Sequence, residues 1–451
     1  MDPVYGRGML DVAASQSPLN FGNLKFYEVK NGVRTEKTPA AIKAAGVQTT
    51  WEAEGVYFHL YEEIGDTHRD FAVPVSSLLV GKVGTLSGAS EYFQHFITSR
   101  MKDWITGQTT SFTDVATLPL APNGAGWQIA FSGSSPETSQ GFRGDASPPQ
   151  SSVRLSSASG LGFSAGYGAG AMTLGNQTGF GLSSDYGKDG GVNPLLGLAS
   201  GGAFAAVDLP LSRSTSLSAG LTSQRLNHSK MRYRTALEQA AFQGVDAFQA
   251  DAINVKIAHQ ASDALSLSAS YAKVRERNGL LGVQSREESD LRNGAASDTA
   301  TLAASLRLDK GFTIAVSATA GRTKSVGDDE QGFATAGHGV LTSAFAIATT
   351  KQGVFGSSDM LRLSVAQPLH IERGELSYSS VEVIDRATGE LGTVSRRFDV
   401  ARGPRAYTGE LLYAAPLLNT GEIGLFGRAD FRPAEGGVDD FVIGTRLSIG
   451  F

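Results

Sequence analysis

Residues 312–320, Phe-Thr-Ile-Ala-Val-Ser-Ala-Thr-Ala, set the strongest constraint on this chain. Phe312, Ile314, Val316, Ala318 and Ala320 share one parity, and Thr313, Ala315, Ser317 and Thr319 share the other. In extended chain successive side chains point to opposite faces. This segment therefore has one apolar face and one small or polar face. Leu265, Leu267, Ala269 and Tyr271 repeat the rule against Ser266, Ser268 and Ser270. From about residue 200 onward the period persists and marks twelve candidate strands: Ala203–Leu211, Thr215–Gln224, Ala252–Ser262, Ala264–Val274, Thr299–Asp309, Phe312–Lys324, Leu341–Thr350, Met360–Pro368, Gly374–Val383, Tyr407–Leu417, Glu422–Phe431 and Asp440–Phe451. Most are about nine to twelve residues long, the length a tilted strand needs to cross a bilayer.

Greasy outside and wet inside is the pattern of a barrel wall in lipid. Arg307 lies opposite Leu306 and Leu308, Arg362 opposite Leu361 and Leu363, and Arg446 falls with Gly444 and Ser448. These three arginines are the candidate lumen-facing charges. Short turns (212–215, 309–311, 419–421) are interspersed with long polar loops (227–251, 276–298, 382–406), as in outer-membrane barrels. The expected fold is all-β: an antiparallel transmembrane β-barrel of twelve strands over residues 201–451. Counting turns from the two ends disagrees by one strand, with 353–359 external and Pro368 in a turn from one end only. Either weak strands at 332–337 and 161–174 resolve this and make fourteen, or one periplasmic turn is long. A soluble β-sandwich is the competing fold, but its strands are shorter and its inward residues larger than Ser, Ala and Gly.

Composition agrees. The chain has 55 glycines and no cysteine in 451 residues, and small residues at every second position suit a lumen wall. Its mean hydropathy of −0.10 is uninformative, because a barrel strand averages its two faces. No run of about 18 apolar residues offers a transmembrane helix. A net charge of −5 without a Lys/Arg cluster gives no nucleic-acid signal. The seven histidines lack metal-ligand spacing. His59 and His68 beside Glu62, Glu63, Asp66 and Asp70 read as a solvated acidic turn, and Asp328–Glu330 and Glu287–Asp290 as hydrated loop charges without calcium-loop spacing. No phosphate-binding glycine motif occurs. No cofactor and no metal are expected.

Upstream, residues 16–125 read as a small α+β accessory or stalk region. Strands at 56–60 and 71–80 flank a turn at 64–66, and residues 91–105 form an amphipathic helix through Tyr92, Phe93, Phe96, Ile97, Met101, Trp104 and Ile105. Residues 126–200 are a Gly/Ser/Pro-rich linker, either threading a pore or adding a hairpin. The first residues have neither a basic start nor an apolar core, so they form no secretory signal. An outer-membrane destination then implies that the chain is a piece of a longer precursor.

The last strand, Phe441, Ile443, Leu447, Ile449 and Phe451 on one parity, resembles the closing strand of bacterial outer-membrane barrels. The resemblance implies that these residues, with the terminal Phe451, form the signal read by the barrel-assembly machinery. Tyr5-Gly-Arg-Gly-Met-Leu-Asp-Val-Ala-Ala14, through Gly6, Gly8, Leu10 and Asp11, resembles the closing turn and helix of a subtilisin-like protease domain, so residues 1–15 are read as its remnant. Asp359–Leu369 with 371–374 is similar to the barrel half of subtilase autotransporters (type V secretion). Together these imply a translocator anchored in the outer membrane, a single-copy barrel that exports or displays its own upstream passenger. The Asp, His-Gly-Thr and Gly-Thr-Ser motifs of that protease are missing, and His338-Gly339 sits in the barrel region as a turn. Without nucleophile and base no triad assembles, so this chain is expected not to be an enzyme. A free-standing porin and a serine protease residing only in the full-length parent are the alternatives.

Overall fold

The computed structural model describes residues 24–30, 33–37, 50–64, 67–81, 113–119, 128–134, 150–177, 179–180, 192–228, 242–286, 291–327, 332–385, 388, 390–401, 403–417, 421–432 and 437–449. Its main element is one antiparallel wall of fifteen strands. These are β1 (Thr113–Pro119), β2 (Gln128–Ser134), β3 (Gln150–Ser156), β4 (Gly162–Tyr167), β5 (Ala203–Pro210), β6 (Thr215–Leu226), β7 (Phe248–Gln260), β8 (Leu265–Glu276), β9 (Ala295–Leu308), β10 (Phe312–Ser325), β11 (Val340–Gln352), β12 (Met360–Arg373), β13 (Tyr407–Leu417), β14 (Gly421–Arg432) and β15 (Gly437–Ile449). Each pairs with its neighbours in chain order. Among the described residues β1 and β15 do not pair with each other, so the wall is not closed.

The alternation is realised face by face. In β8 Ser266, Ser268 and Ser270 are buried while Leu267 and Tyr271 are exposed. In β10 Ala315, Ser317 and Thr319 are buried while Val316 is exposed. Ile253, Leu302 and Ile443 are 63%, 64% and 77% exposed on the outer side. An apolar outer face on so many adjacent strands far exceeds the scattered apolar residues of a soluble surface.

The strand count differs from expectation in two ways. Four strands, β1 to β4, precede residue 201, so the wall starts before the expected boundary. Gly374–Val383, read as a wall strand, leaves it: Glu375–Asp385 pairs instead with Glu390–Asp399 and Gly332–Thr335. Its alternating Leu376 and Tyr378 are buried against Phe333, whose ring centroid lies 4.8 Å from that of Tyr378. A hairpin with one dry face has the same period as a wall strand, and periodicity does not say what covers the apolar side. Removing it also resolves the turn count. Residues 157–161, 211–214, 261–264, 309–311, 353–359 and 418–420 connect strands at one end of the wall, and 168–202, 227–247, 277–294, 326–339 and 374–406 at the other. Pro368 lies inside β12, where the β11–β12 register skips between Ser343 and Phe345, a place where a missing N–H does no harm.

The long-loop end carries a second, seven-stranded sheet. Leu24–Lys30, Val33–Lys37, Tyr57–Ile64 and Thr67–Pro74 come from the N-terminal region, and Gly332–Thr335, Glu375–Asp385 and Glu390–Asp399 from the long loops. This cap is anchored by aromatic packing and directed hydrogen bonds. Trp51 meets Phe333 edge-on at 5.2 Å, its Nε1 donates to Leu280 O at 2.9 Å, and Thr50 Oγ1 donates to Leu281 O at 2.8 Å. Leu79–Gly81 pairs with Val283–Ser285. The described residues among 24–81 thus pack and pair with the long loops. The helix expected over 91–105 lies outside the described residues.

Candidate functional site

Between β4 and β5 the chain turns into the concave side of the wall. Two short helices, α1 (Gly170–Gly175) and α2 (Pro194–Gly197), bracket this inserted segment. Asn193 caps α2, its Oδ1 accepting from Leu196 N at 3.1 Å, and Pro194 occupies the first helical position, where no N–H is needed. Ala171, Leu174, Val192, Leu195 and Ala199 are all buried. The segment is a plug, described at residues 168–177, 179–180 and 192–202, and five consecutive strands, β6 to β10, touch it.

Most of the polar contacts reach the plug's main chain. Thr222 Oγ1 on β6 donates to Ala199 O at 3.1 Å. Asn254 Nδ2 and Lys256 Nζ on β7 donate to Leu174 O and Asn176 O at 2.8 and 2.7 Å. Thr319 Oγ1 on β10 donates to Val192 O. Gln177 contributes its side chain, donating to Ser270 Oγ at 3.0 Å and accepting from Ser268 Oγ. A buried carbonyl left without a donor costs about 1–3 kcal/mol, so these bonds make burial of an irregular segment tolerable.

Glycines supply the room. A methyl at Gly220 on β6 would overlap Leu174 Cδ2, and one at Gly321 on β10 would overlap Leu195 Cδ1. The two leucines are knobs seated where the wall has no side chain. In the plug, Gly179 has φ +82° and lies against β9 and β10, where a Cβ would come 2.5 Å from Ala315 Cβ and 2.9 Å from Ser305 Oγ. Glycine is required there twice over, for the left-handed backbone and for the close approach. At the neck, Gly168 N donates to Gly202 O at 2.8 Å.

Besides Lys256, charge lies to either side of this strip. On one side Arg154 Nη2 meets Asp208 Oδ2 at 3.1 Å, and Ser218 donates to Asp208 Oδ1 at 2.6 Å. On the other, Arg428 Nε meets Asp430 Oδ1 at 3.2 Å and Thr408 donates to the same oxygen at 2.6 Å. At the short-loop end the Asp359 carboxylate accepts from the N–H groups of Val354, Phe355 and Gly356 at 2.6, 2.7 and 3.0 Å and from Tyr413 Oη at 3.0 Å. Desolvation alone would raise its pKa, but these four donors together hold it below the usual carboxylate range and lock the turn.

The residues singled out from sequence fall as follows. Arg362 is buried on the inner parity of β12, level with Leu412 of β13. Arg307 has the inner parity of β9 but sits at its short-loop end and is exposed. Arg446 pairs in register with Gly424. Phe441, Ile443 and Leu447 are exposed on the outer face, Ile449 ends β15, and Phe451 lies outside the described residues. Gly6, Gly8, Leu10 and Asp11 also lie outside them. His59 Nδ1 lies 3.2 Å from Glu382 Oε2 in the cap. Residues 336–339 form a turn, Gly339 N donating to Ala336 O at 3.1 Å.

Sequence reading missed Thr222, Asn254, Gly220 and Gly321, although each stands on the inner parity of its strand. Asn254 carried a signal, as an amide between Ile253 and Val255. The glycines carried none, because a glycine that receives a plug and one that merely lines water look alike.

No protein-family profile and no curated protein matches the sequence. Among solved structures the chain is similar to an anion-selective porin from Comamonas acidovorans, at 15% identity and a TM-score of 0.40, over 73% of this chain and 85% of that one.

Proposed function

We propose that the chain is an outer-membrane barrel that holds its N-terminal region at the cell exterior and keeps its own lumen shut with residues 170–177 and 192–199 of the plug. In a longer parent the same arrangement exports and then displays an upstream segment, the role of an autotransporter translocator. The observation that carries this reading is the plug, whose main-chain carbonyls are satisfied by inner-wall donors on β6, β7 and β10. Long loops face outward in outer-membrane barrels, which supports an exterior position for the cap and its N-terminal strands. No catalytic step is assigned to the chain, and a fluorophosphonate probe should leave it unlabelled. The outward apolar residues of β15 are assigned to the barrel-assembly machinery.

Two measurements test this. In planar bilayers the intact chain should conduct little, and removal of residues 170–199, with Gly168 joined to Gly202 by a short linker, should raise single-channel conductance severalfold. A high conductance from the intact chain would favour a free-standing porin instead. Separately, Ile253→Arg places a charge near mid-strand on the outer face. In lipid it should cost about 2–4 kcal/mol, read by urea unfolding from vesicles. A change below about 0.5 kcal/mol, normal for a water-exposed position, would overturn the membrane placement.

A further inference from the structure

We propose that the inner wall is a receptor for polypeptide main chain of any sequence, and that residues 170–177 and 192–199 are its resident occupant. This rests on the translocator reading and names what the lumen recognises.

The chemistry of the contacts points there. Asn254, Lys256, Thr222 and Thr319 each direct a donor at a backbone carbonyl, of Leu174, Asn176, Ala199 and Val192 respectively. Every residue carries such a carbonyl, so a donor that reads it is indifferent to the side chain. Spare capacity adjoins these sites. The hydroxyls of Thr299, Ser317 and Thr342 and the Oδ1 of Asn254 are buried and have no hydrogen-bond partner among the described residues. Thr299, Gly321 and Thr342 stand level on β9, β10 and β11, beside Leu195 of the plug. Hydroxyls both donate and accept, and the free Asn254 Oδ1 accepts, so together they offer what the alternating N–H and C=O groups of a passing chain require.

Specificity for the resident comes from elsewhere. The seats for Leu174 and Leu195 at Gly220 and Gly321 are shape-selective. The resident plug therefore holds two contacts that a chain of other sequence lacks, and it returns once the lumen empties. Recognition of backbone makes the wall permissive, and the two leucine seats make it self-closing.

The test separates main-chain from side-chain recognition in the intact protein. The chain has no cysteine, so the thiol introduced by Ala171→Cys, at a buried plug position, reports plug release through its rate of reaction with a membrane-impermeant maleimide. Combining Thr222→Val, Asn254→Ala and Thr319→Val should accelerate labelling tenfold or more, whereas Gln177→Ala, which removes the plug's side-chain bonds, should accelerate it only a few-fold. Equal acceleration by Gln177→Ala, or none by the triple variant, overturns the proposal. In bilayers, the chain lacking 170–199 should be blocked by an uncharged, unstructured 20-residue peptide of scrambled sequence, and the triple substitution should shorten each block tenfold. Polyethylene glycol of equal size should block no longer in one wall than in the other. Peptide blocks that the triple substitution leaves unchanged overturn the proposal. A deletion chain that fails to conduct counts against the proposed function, and the labelling result then decides the present proposal by itself.

Discussion

Gly321→Val is expected to unseat the plug while leaving the wall intact. A Cβ at residue 321 overlaps Leu195 Cδ1 and lies 2.7 Å from Thr342 Oγ1, and both obstacles are side chains. Leu195 is fully buried and belongs to the plug, so that clash falls on the plug. Overpacking a filled site typically costs 1–3 kcal/mol. With an isopropyl group against a buried leucine we expect about 3 kcal/mol, which is about a hundredfold in the ratio of seated to released plug. The wall itself should not suffer, because valine is a better strand residue than glycine. Gly220 would be a poorer choice, since a Cβ there also comes 2.5 Å from the backbone oxygen of Ala205 and the wall would share the damage. The measurement is single-channel conductance with unfolding of the same variant as the control. Adding Leu195→Ala should restore closure, because the two changes act on one contact and are not additive. If Gly321→Val stays closed, or if Leu195→Ala worsens it, the plug is not seated through this pair.

The wall was legible because its two faces meet different solvents. Eleven of the twelve strands read from periodicity belong to it, from Ala203–Pro210 to Gly437–Ile449, and on β10 and β12 the residues read as apolar-faced, Val316 and Leu363, are exposed. What failed were segments where the apolar side is covered by protein. Leu376 and Tyr378 alternate as faithfully as Leu265 and Leu267, yet they close on Phe333 and Phe398, with centroids of Phe333 and Phe398 6.2 Å apart. Strands β3 and β4 were weak for the opposite reason: Ser151, Ser152, Gly162, Ser164 and Gly166 dilute the contrast. The plug was unreadable in detail. Its six- and four-residue helices are too short to show a period, and its fixed shape comes from donors 23 to 127 residues away in the chain. Local sequence encodes what solvent a face meets, and it says little about a partner that arrives from another part of the fold.

Arg396→Ala should unlatch the cap and reverse its response to acid. Glu382 is buried in the seven-stranded sheet, and Arg396 grips its carboxylate with two bonds of 2.5 and 2.8 Å. Ser380 Oγ donates to it at 2.8 Å, His59 stands 3.2 Å away, and next to it Val383 N donates to Tyr61 Oη at 3.0 Å, joining the N-terminal strand to the loop hairpin. Burial alone would push the Glu382 carboxyl up, but the Arg396 and Ser380 hydrogen bonds and the neighbouring cationic charge bring it below its ordinary value. A carboxylate lowered in the folded state contributes stability above its unfolded pKa of about 4.3 and loses it as pH falls through the folded value. Removing one partner of a buried pair costs about 3–5 kcal/mol, and because the Arg396 side chain is 30% exposed we expect the lower end, about 3 kcal/mol. With the guanidinium gone, burial becomes the dominant influence and the carboxyl rises above its ordinary range. The variant cap should then gain stability as pH drops from 7 to 5, where the parent cap changes little. Hydrogen exchange of Tyr57–Ile64 and Glu375–Asp385 reads both effects, and Glu382→Gln in the same background should recover most of the loss by removing the stranded charge. Conductance should remain low throughout, since none of the donors that hold the plug belongs to the cap. A variant that unlatches the cap and opens the lumen together would mean that cap and plug are one closure rather than two.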